Sequence, residues 1–503
     1  MSESRIRNSV KNMAMNFCNK GISLVIKFVL RTIFIHTLSA EYLGVNGLFA
    51  NILTILSLAD LGFGLALPYS LYKPLKEKDQ IKISQLMDFY SHVYRIVGFC
   101  VLILGSLLIP FLEVIVGGQD IANLTIIYCL FIINSSASYL FIYKRTLITA
   151  DQKDYQVTAI DTMGQIVIAV CQSITLFLFR NYIAYLVIQI IGTIGTNLAI
   201  SYRCDVIYPF IKKKPEKKMS RYEVGKTSKD VYALMLYKVA NAVESGTDNL
   251  IATQFVGIVT VGILSNYTLI IQAFMSMLTT LFSSLTASIG NMIVSENEDR
   301  VYEVYRALNF VSFWFYGAIA VCLLLLTQPF IGNIWLSESY LLDSSAVFLI
   351  VLNFYIGGTQ NMNSSYRNAY GLFWQARYRP VLMVLTNIGS SVILAGPFGL
   401  TGILLGTTIS RVFTVGIMDP YIVHKHGLHR DVRRYYVDYA LYLASVMGTY
   451  TLCKYALGWL KPLGIISWCL KGAFAFVITN ICFMLLFFQT KRFKYLAGIV
   501  RRR

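Results

Sequence analysis

The sequence predicts an all-α membrane protein with about fourteen transmembrane helices, arranged as two six-helix lobes followed by two more helices. Of its 503 residues, 56% are hydrophobic and only 14% are charged, whereas a soluble domain carries about 25% charged residues. Many apolar runs reach the roughly 20 residues that a helix needs to cross the hydrocarbon core. The net charge of +18 lies in the connections between these runs. These observations place most of the chain in a lipid bilayer and argue against nucleic acid as a partner.

Fourteen apolar stretches are long enough to be transmembrane helices. They are residues 12–37, 43–70, 90–116, 121–147, 156–180, 182–209, 231–256, 258–292, 307–336, 341–368, 380–397, 400–423, 437–460 and 463–490. Lysine and arginine cluster in alternate connections, while the remaining connections carry only Arg180 and Lys461. Because basic residues resist translocation, this alternation predicts that both termini lie in the cytoplasm. The predicted outer connections are all short, so we expect no soluble catalytic domain and no enzyme.

The chain has the layout of a duplication. A long Ser/Leu/Gly-rich helix runs into a charged loop in residues 44–79, and the same order returns in residues 262–299. The predicted domains are an N-terminal lobe (1–210), a basic cytoplasmic linker (211–230), a C-terminal lobe (231–424), and two extra helices with a basic tail (425–503). Duplicated bundles of this kind commonly hold their substrate near the membrane midplane.

Polar side chains of the first predicted span share one face. They are Asn12, Asn16, Lys20, Ser23, Lys27 and Arg31, and at 100° per residue they fall within an arc of about 100°. A charge at the bilayer centre costs at least about 2.5–3.5 kcal/mol on insertion scales. The stripe therefore predicts a cationic lining of a water-filled cavity that binds an anion. Neutralisation by acids on neighbouring helices is the alternative.

Other spans also carry deep charges. We assign the following cations, with the stripe, to the substrate-binding lining: Lys20, Lys27, Arg31, Lys238, Arg367 and Arg411. Arg367 lies near the end of its span, where an interfacial anchor is an equal alternative. Four carboxylates are candidates for coupling transport to an ion, H⁺ or Na⁺: Asp60, Asp161, Glu244 and Asp248. For Asp60, a packing turn with a satisfied carboxylate is the alternative.

The tenth predicted span is richer in amides than a lipid-facing helix allows. Its candidates for glycan contacts are Asn353, Gln360, Asn361 and Asn363. Amides and aromatic rings are usual partners of sugar hydroxyls and sugar faces. Hydrogen bonding between helices, which is frequent in membranes, is the alternative.

Cysteine and histidine spacing favours no metal site. The nine cysteines are scattered and form no CxxC pair, so we interpret them as small residues of the membrane core. His424, His426 and His429 fall in a basic loop without nearby cysteines, where a solvated loop is the better interpretation. No GxxxxGK[ST] motif is present, so we expect no nucleotide and no other cofactor.

The segment from Arg31 to Asp79 contains E-Y-L-G-V-N-G-L-F, L-S-L-A-D-L-G and Y-S-L-Y-K-P-L in this order. It resembles the opening of Wzx-type polysaccharide transporters, which are lipid-linked oligosaccharide flippases of the multidrug/oligosaccharidyl-lipid/polysaccharide (MOP) exporter superfamily. The resemblance is strong over about the first hundred residues. It implies a MATE-like fold of two six-helix lobes plus two helices around a cationic lumen.

The resemblance also implies a substrate and a mechanism. The substrate is an undecaprenyl-diphosphate-linked oligosaccharide, the repeat unit of O-antigen lipopolysaccharide, capsule or exopolysaccharide. It is moved from the inner to the outer leaflet of the cytoplasmic membrane by alternating access, with a polysaccharide polymerase and chain-length proteins as partners.

Several alternatives are weighed against this function. Two alternatives are other transporters, a lipid II flippase and a multidrug antiporter, although an antiporter for cationic drugs would require an acidic rather than a cationic cavity. Outside transport they are a membrane-embedded polymerase or ligase, which usually carries a sizeable outer loop, and a scaffold, which would not need buried cations.

Overall fold

A computed structural model of the chain describes residues 2–56, 70–212, 215, 246–283, 285–372 and 374–501. Within these ranges the regular secondary structure is helical, without strands. The chain divides into two compact units, Met1–Gly262 and Ile263–Arg503. The predicted linker 211–230 lies almost wholly outside the described residues, so the domain boundaries given above stay a prediction.

Besides a helical stretch at residues 246–256, the described residues of the first unit form seven long or medium helices. They are α1 (Ser2–Thr37), α2 (Ala40–Leu56), α3 (Gln80–Ser106), α4 (Leu124–Ser138), α5 (Ile142–Ala150), α6 (Asp154–Phe179) and α7 (Tyr182–Ile207). Helix α1 packs along α6, α6 along α7, and α4 against both α3 and α7. Aromatic side chains fill the core, as where the ring of Phe49 meets the edge of Tyr128 at 4.9 Å between ring centroids.

The second unit begins within α8 and is organised around a long central helix. Its helices are α8 (Ile258–Ser283), α9 (Thr286–Ser295), α10 (Glu298–Pro329), α11 (Ser344–Thr359), α12 (Asn361–Ala369), α13 (Arg379–Arg411), α14 (Asp419–Val423), α15 (Arg433–Ala456), α16 (Ile465–Phe487) and α17 (Lys491–Arg501). Helix α10 packs against α11, α15, α16 and α17. Phe313 of α10 stacks on Tyr442 of α15 with 4.2 Å between ring centroids, so the core of this unit is also aromatic.

The helices are apolar enough to cross a membrane. Among the described residues, seven pass a test of length and hydropathy, or eight if α4 and α5, which meet at a 41° bend, count as one span. One of the seven covers Arg379–Leu428 and contains two predicted spans, because Gly399 (φ 54°, ψ −132°) breaks the helix inside α13. Large apolar side chains such as Phe177 and Ile393 are more than 70% exposed, as expected where lipid replaces water. The protein is therefore a multi-pass membrane protein.

Each predicted span within the described ranges coincides with a helix, but several boundaries differ. Helix α3 begins at Gln80 instead of residue 90, because Asp79 caps it by accepting a hydrogen bond from the Lys82 amide at 2.9 Å. Two predicted spans are interrupted. The span 121–147 breaks at Phe141, which has a positive φ of 68°, and the span 341–368 breaks at Gln360, between α11 and α12.

A close approach of two backbones in the first unit gives a testable prediction. A methyl group at Gly44 of α2 would lie 2.1 Å from the carbonyl oxygen of Ile258. A backbone oxygen cannot rotate away, so we expect Gly44→Ala to lower the free energy of unfolding by about 1–3 kcal/mol. Gly195→Ala in α7 is the matched control, since nothing lies within 4 Å of its added methyl. Thermal unfolding of the purified variants measures the difference, and equal transition temperatures for both would show that the helices can separate freely here.

Candidate functional site

The neutral members of the predicted stripe on α1 contact α6 and the turn before it. Asn12 donates to the carbonyl oxygen of Gln152 at 3.0 Å, and Asn16 donates to a carboxylate oxygen of Asp154 at 3.0 Å. The Ser23 hydroxyl donates to the side-chain oxygen of Gln165. These neutral side chains of α1 hold it on α6 through hydrogen bonds.

Asn19, which the sequence analysis did not select, continues this ladder. Its side-chain oxygen accepts a hydrogen bond from Thr162 of α6 at 2.8 Å, between the bonds made by Asn16 and Ser23. The hydroxyl of Thr158 reaches the Asn16 amide oxygen in the same way at 3.1 Å. A repeat of small hydroxyl residues on α6 could have indicated which face of α1 packs there.

The cationic members of the stripe lie further round α1. At 100° per residue, Lys20, Lys27 and Arg31 are centred roughly 70° from the asparagine ladder. Lys20 and Lys27 are exposed and Arg31 is half-buried, and Lys27 makes no ion pair within the described ranges. The structure thus divides the predicted stripe into an amide face that packs on α6 and a cationic face on which Lys20 and Lys27 keep exposed surface.

Arg31 lies beside the start of α7. Its guanidinium interacts electrostatically with the hydroxyl groups of Tyr182 and Tyr185. Both tyrosine rings also pack on Phe34 of α1, with 5.3 and 5.6 Å between ring centroids. One turn along, Gln172 donates to Gln189 at 2.9 Å. The surroundings of Arg31 therefore include aromatic rings and polar groups.

The predicted coupling carboxylate Asp161 is paired with an arginine. Arg145 of α5 binds it with both terminal nitrogens, at 2.6 and 2.7 Å, and the neighbouring Lys144 binds Asp205 of α7 at 2.7 Å. These two pairs join the short helix α5 to α6 and α7. The coupling role of Asp161 stays a prediction, and any such role requires Arg145 to release it.

All four predicted glycan contacts in the second unit take part in hydrogen bonds between helices, and three of them are buried. Asn363 is fully buried and donates to the Tyr435 hydroxyl at 2.8 Å and to the Gln360 oxygen at 2.6 Å. Gln360, at the break between α11 and α12, also donates to Tyr435 at 3.1 Å. Asn353 donates to the carbonyl of Leu404 at 3.1 Å. This is the arrangement of the alternative named above, so a glycan role for these three stays a prediction.

Asn361 differs from the other amides because it is half-buried and faces a different set of residues. It donates to the Tyr316 hydroxyl at 2.9 Å and to Thr279 at 3.4 Å. Arg411, also half-buried, donates to the carbonyl of Asn353 at 3.0 Å. Both side chains keep part of their surface accessible.

Arg367 lies in a buried ion cluster at the start of α14. Its guanidinium binds Asp419 at 2.7 Å, and Arg379 approaches the same carboxylate oxygen at 3.7 Å. Asp419 is fully buried, and both arginines are only 6% exposed. Asp419 was not selected from the sequence, and with it the charge of Arg367 is matched locally. The assignment of Arg367 to a cationic lining stays a prediction.

The structure says less about the remaining predicted site residues. Asp248 is half-buried at the end of the first unit. Asp60, Lys238 and Glu244 lie outside the described residues, so their predicted roles stay predictions.

The interpretation of residues 424–429 as a solvated loop is wrong for His424. This side chain is only 1% exposed and binds the carbonyl of Pro420 at 2.8 Å. It lies among the rings of Tyr302, Tyr305 and Tyr435, because the helix continues past Val423 in a wider, π-type turn. His426 and His429 are exposed. In the part of the chain that the structure describes, no group of three or more metal-ligating side chains is present.

Comparisons with protein-family models and with curated proteins gave no match. A comparison with solved structures gave several matches. The lipid II flippase MurJ, in an inward closed conformation, has a TM-score of 0.68 at 13% identity, covering 95% of this chain and 100% of its own. An inward-facing multidrug resistance MATE family transporter of the MOP superfamily has a TM-score of 0.66 at 14% identity, covering 80% and 94%.

A third similar structure is a MOP superfamily transporter from Pyrococcus furiosus, described as having a binding pocket of reversed polarity that suggests a different function. Its TM-score is 0.56 at 12% identity, covering 85% of this chain and 96% of its own. At these identities the similarity concerns the fold. The chain therefore has the MATE- and MurJ-like fold of the MOP superfamily, as the sequence predicted.

Proposed function

We propose that this protein is a MOP-superfamily transporter that flips an undecaprenyl-diphosphate-linked oligosaccharide from the cytoplasmic to the outer leaflet of the cytoplasmic membrane. The oligosaccharide is a repeat unit of O-antigen, capsule or exopolysaccharide. Both termini lie in the cytoplasm in this proposal. A polysaccharide polymerase and chain-length proteins, which use the flipped unit, are the proposed partners.

The division of α1 into two faces is the observation that carries the proposal. Asn12, Asn16 and Ser23 already bind α1 to α6 and the preceding turn through neutral side chains of α1. Lys20 and Lys27 keep exposed surface on the adjoining side of α1 and Arg31 is half-buried, although charges in a membrane helix are costly. Binding of a diphosphate offsets that cost, because lysine and arginine form strong charge-assisted hydrogen bonds with phosphate oxygens. Lys20, Lys27 and Arg31 are the proposed diphosphate ligands.

The extent of structural similarity supports a flippase over a multidrug antiporter. The match to MurJ, which its description names a lipid II flippase, extends over 95% of this chain, against 80% for the inward-facing MATE transporter. A multidrug antiporter would also have to bind cationic compounds beside Lys27 and Arg31. Like charges at short range in a medium of low dielectric disfavour this.

The glycan is proposed to meet the second unit near the break between α11 and α12. Broken helices are frequent at transporter binding sites, because they free polar groups at membrane depth. Asn361 and Arg411 keep accessible surface there, whereas Gln360 and Asn363 stabilise the break through Tyr435. In this proposal the first pair contacts sugar hydroxyls and the second pair holds the geometry.

Alternating access is the proposed mechanism, coupled to entry of H⁺ or Na⁺. The candidate carboxylates are Asp60, Asp161, Glu244 and Asp248. For Asp161, coupling would proceed by competition between the ion and Arg145, which binds both carboxylate oxygens.

Transport by the purified protein in lipid vesicles tests the proposal. We expect vesicles with the protein to move a fluorescent undecaprenyl-diphosphate oligosaccharide across the bilayer much faster than protein-free vesicles, as measured by quenching of the outer leaflet. Undecaprenyl monophosphate without sugar is the control lipid. A protein that extrudes cationic dyes and leaves the lipid unmoved is a multidrug antiporter, and one that elongates the glycan is a polymerase; either result contradicts the proposal.

A further inference from the structure

A small cavity lies in the second unit between α10, α15 and α17. It encloses about 430 Å³, including open solvent at its mouth, and is lined by aromatic rings and by three charged side chains, Arg306, Asp438 and Arg492. The space that the centre of a water molecule can occupy is about 20 Å³, which is room for roughly one water molecule. The charged side chains keep 14–20% of their surface, whereas Tyr305 and His424 at the other end are buried. Any larger ligand group therefore meets the arginines at the mouth.

The charges at this mouth do not balance. Asp438 is the shared partner of two arginines, Arg306 at 3.4 Å and Arg492 of α17. One carboxylate thus faces two guanidinium groups. Within the described residues, Nε of Arg306 is also buried without a hydrogen-bond partner. The cluster carries one surplus positive charge and an unused donor.

The surplus charge also affects Arg492. Burial lowers the pKa of its guanidinium, and the positive charges of Arg306 and Arg434 lower that pKa further, while Asp438 opposes the change. Arginine stays protonated at any physiological pH. The lowered pKa therefore means that burial, and to a smaller extent the neighbouring cations, destabilise the charged form, which an added anion would offset.

More cations surround the mouth. Lys491, Lys494, Arg433 and Arg434 are exposed and make no ion pair with the residues that the structure describes. By contrast, Arg300 is paired with Glu303 at 2.8 Å. Helix α17 thus presents lysines beside the cavity, while its Phe493 packs on Trp314 of α10. A basic helix packed on a transmembrane helix through its aromatic side is typical of contact with a membrane surface.

Apolar surface adjoins the charges. Val437 and Leu441 flank Asp438 along α15, and both are more than half exposed. A ligand at the mouth would meet cations at one end and lipid-facing side chains at the other. This combination matches a phospholipid better than a soluble anion, and basic pockets between transmembrane helices commonly bind anionic headgroups.

We propose that the mouth of this cavity, formed by Arg306, Asp438 and Arg492, binds the anionic phosphodiester headgroup of a membrane phospholipid. The phosphate group bridges Arg306 of α10 and Arg492 of α17, and the acyl chains lie along α15. The bound lipid links the C-terminal helix to the core of the unit. This site does not depend on the proposed transport function.

Thermal unfolding of the full-length protein in a neutral detergent, followed by tryptophan fluorescence, tests the site. We expect phosphatidylglycerol to raise the transition temperature by several degrees, and phosphatidylcholine and soluble glycerol phosphate to have little effect. An equal rise with phosphatidylcholine would overturn the requirement for an anionic headgroup. An equal rise with glycerol phosphate would identify a site for free phosphate and overturn the lipid assignment.

Three variants separate a lipid site from a purely structural ion cluster. Arg492→Gln and Arg306→Gln should each weaken the phosphatidylglycerol effect roughly tenfold in lipid concentration, since each removes a charged donor. Asp438→Asn should strengthen it, because the carboxylate competes with the phosphate. Lys461→Gln, in the connection after α15, is the control and should leave it unchanged. A structural cluster would destabilise all three variants without changing their response to lipid. If Arg492→Gln does not accumulate, an Asp438→Asn response no larger than that of the unsubstituted protein is enough to overturn the proposal.

Discussion

The Arg31→Ala substitution is expected to abolish export of the surface polysaccharide, and Lys27→Ala is expected to do the same, while both proteins still insert into the membrane. Each side chain can give a charge-assisted hydrogen bond to the diphosphate, worth about 1.5–3 kcal/mol, and 1.4 kcal/mol corresponds to about tenfold in affinity. Losing one such bond reduces transport roughly 10- to 150-fold. Export is measured by surface polysaccharide staining, and insertion by the amount of protein in the membrane fraction.

Two controls separate the role of the α1 cations from the loss of any exposed lysine and from weaker packing of α1. Lys73→Ala removes an exposed lysine whose side chain is 82% exposed and lies 3.9 Å from Glu77, and export should be normal. Asn16→Leu removes the hydrogen bonds to Asp154 and Thr158, so it should lower stability more than transport per molecule. Normal export from the Lys27→Ala, Arg31→Ala double variant would contradict the diphosphate site.

Helix positions could be predicted from the sequence because the membrane imposes one strong rule. Each span must be apolar for about 20 residues and must satisfy its own backbone, so composition alone locates it. Helix ends are set by single residues instead. Asp79 starts α3 ten residues before the apolar run, and the Tyr316 ring packs so closely on Gly358 of α11, next to the break at Gln360, that a methyl group there would clash. These are tertiary contacts, which hydropathy does not report.

The candidate site was predicted less completely, for a reason that α1 illustrates. Helical periodicity correctly grouped its polar side chains on one side, but it could not tell which of them face another helix. The division into an amide face and a cationic face depends on Thr158, Thr162 and Gln165 of α6, about 140 residues away. Periodicity identifies a polar face, and only the partner helix shows what that face contacts.

The ion-pair partners of charges inside the spans could not be predicted from the sequence either. Arg367 and Asp161 were selected for their depth, and the structure places an opposite charge beside each: Asp419 and Arg145. Depth alone indicates that the cost of burying a charge must be offset, and an ion pair is one way to offset it. The α1 cations retain the functional interpretation because Arg31 lies beside two tyrosines and Lys20 and Lys27 are exposed.

The Asp419→Asn substitution is expected to have the largest effect on stability. It removes the negative charge that two arginines share in the buried cluster described above, and takes from Arg367, which is 6% exposed, its ion pair with Asp419. Breaking a buried pair in this way costs about 3–5 kcal/mol, which lowers the transition temperature of a unit of this size by roughly 6–20 °C. Thermal unfolding of the purified variant measures the shift.

The Asp431→Asn substitution provides the matched control, because its carboxylate is exposed and accepts only from the Arg433 amide at 2.9 Å. We expect a shift there of less than about 0.5 kcal/mol. The double variant Asp419→Asn, Arg367→Gln should lose less than the sum of its single variants, since removing one arginine reduces the uncompensated charge; residues in contact typically couple by 0.5–3 kcal/mol. Strictly additive losses would mean that Asp419 stabilises the unit through its shape and not through its charge.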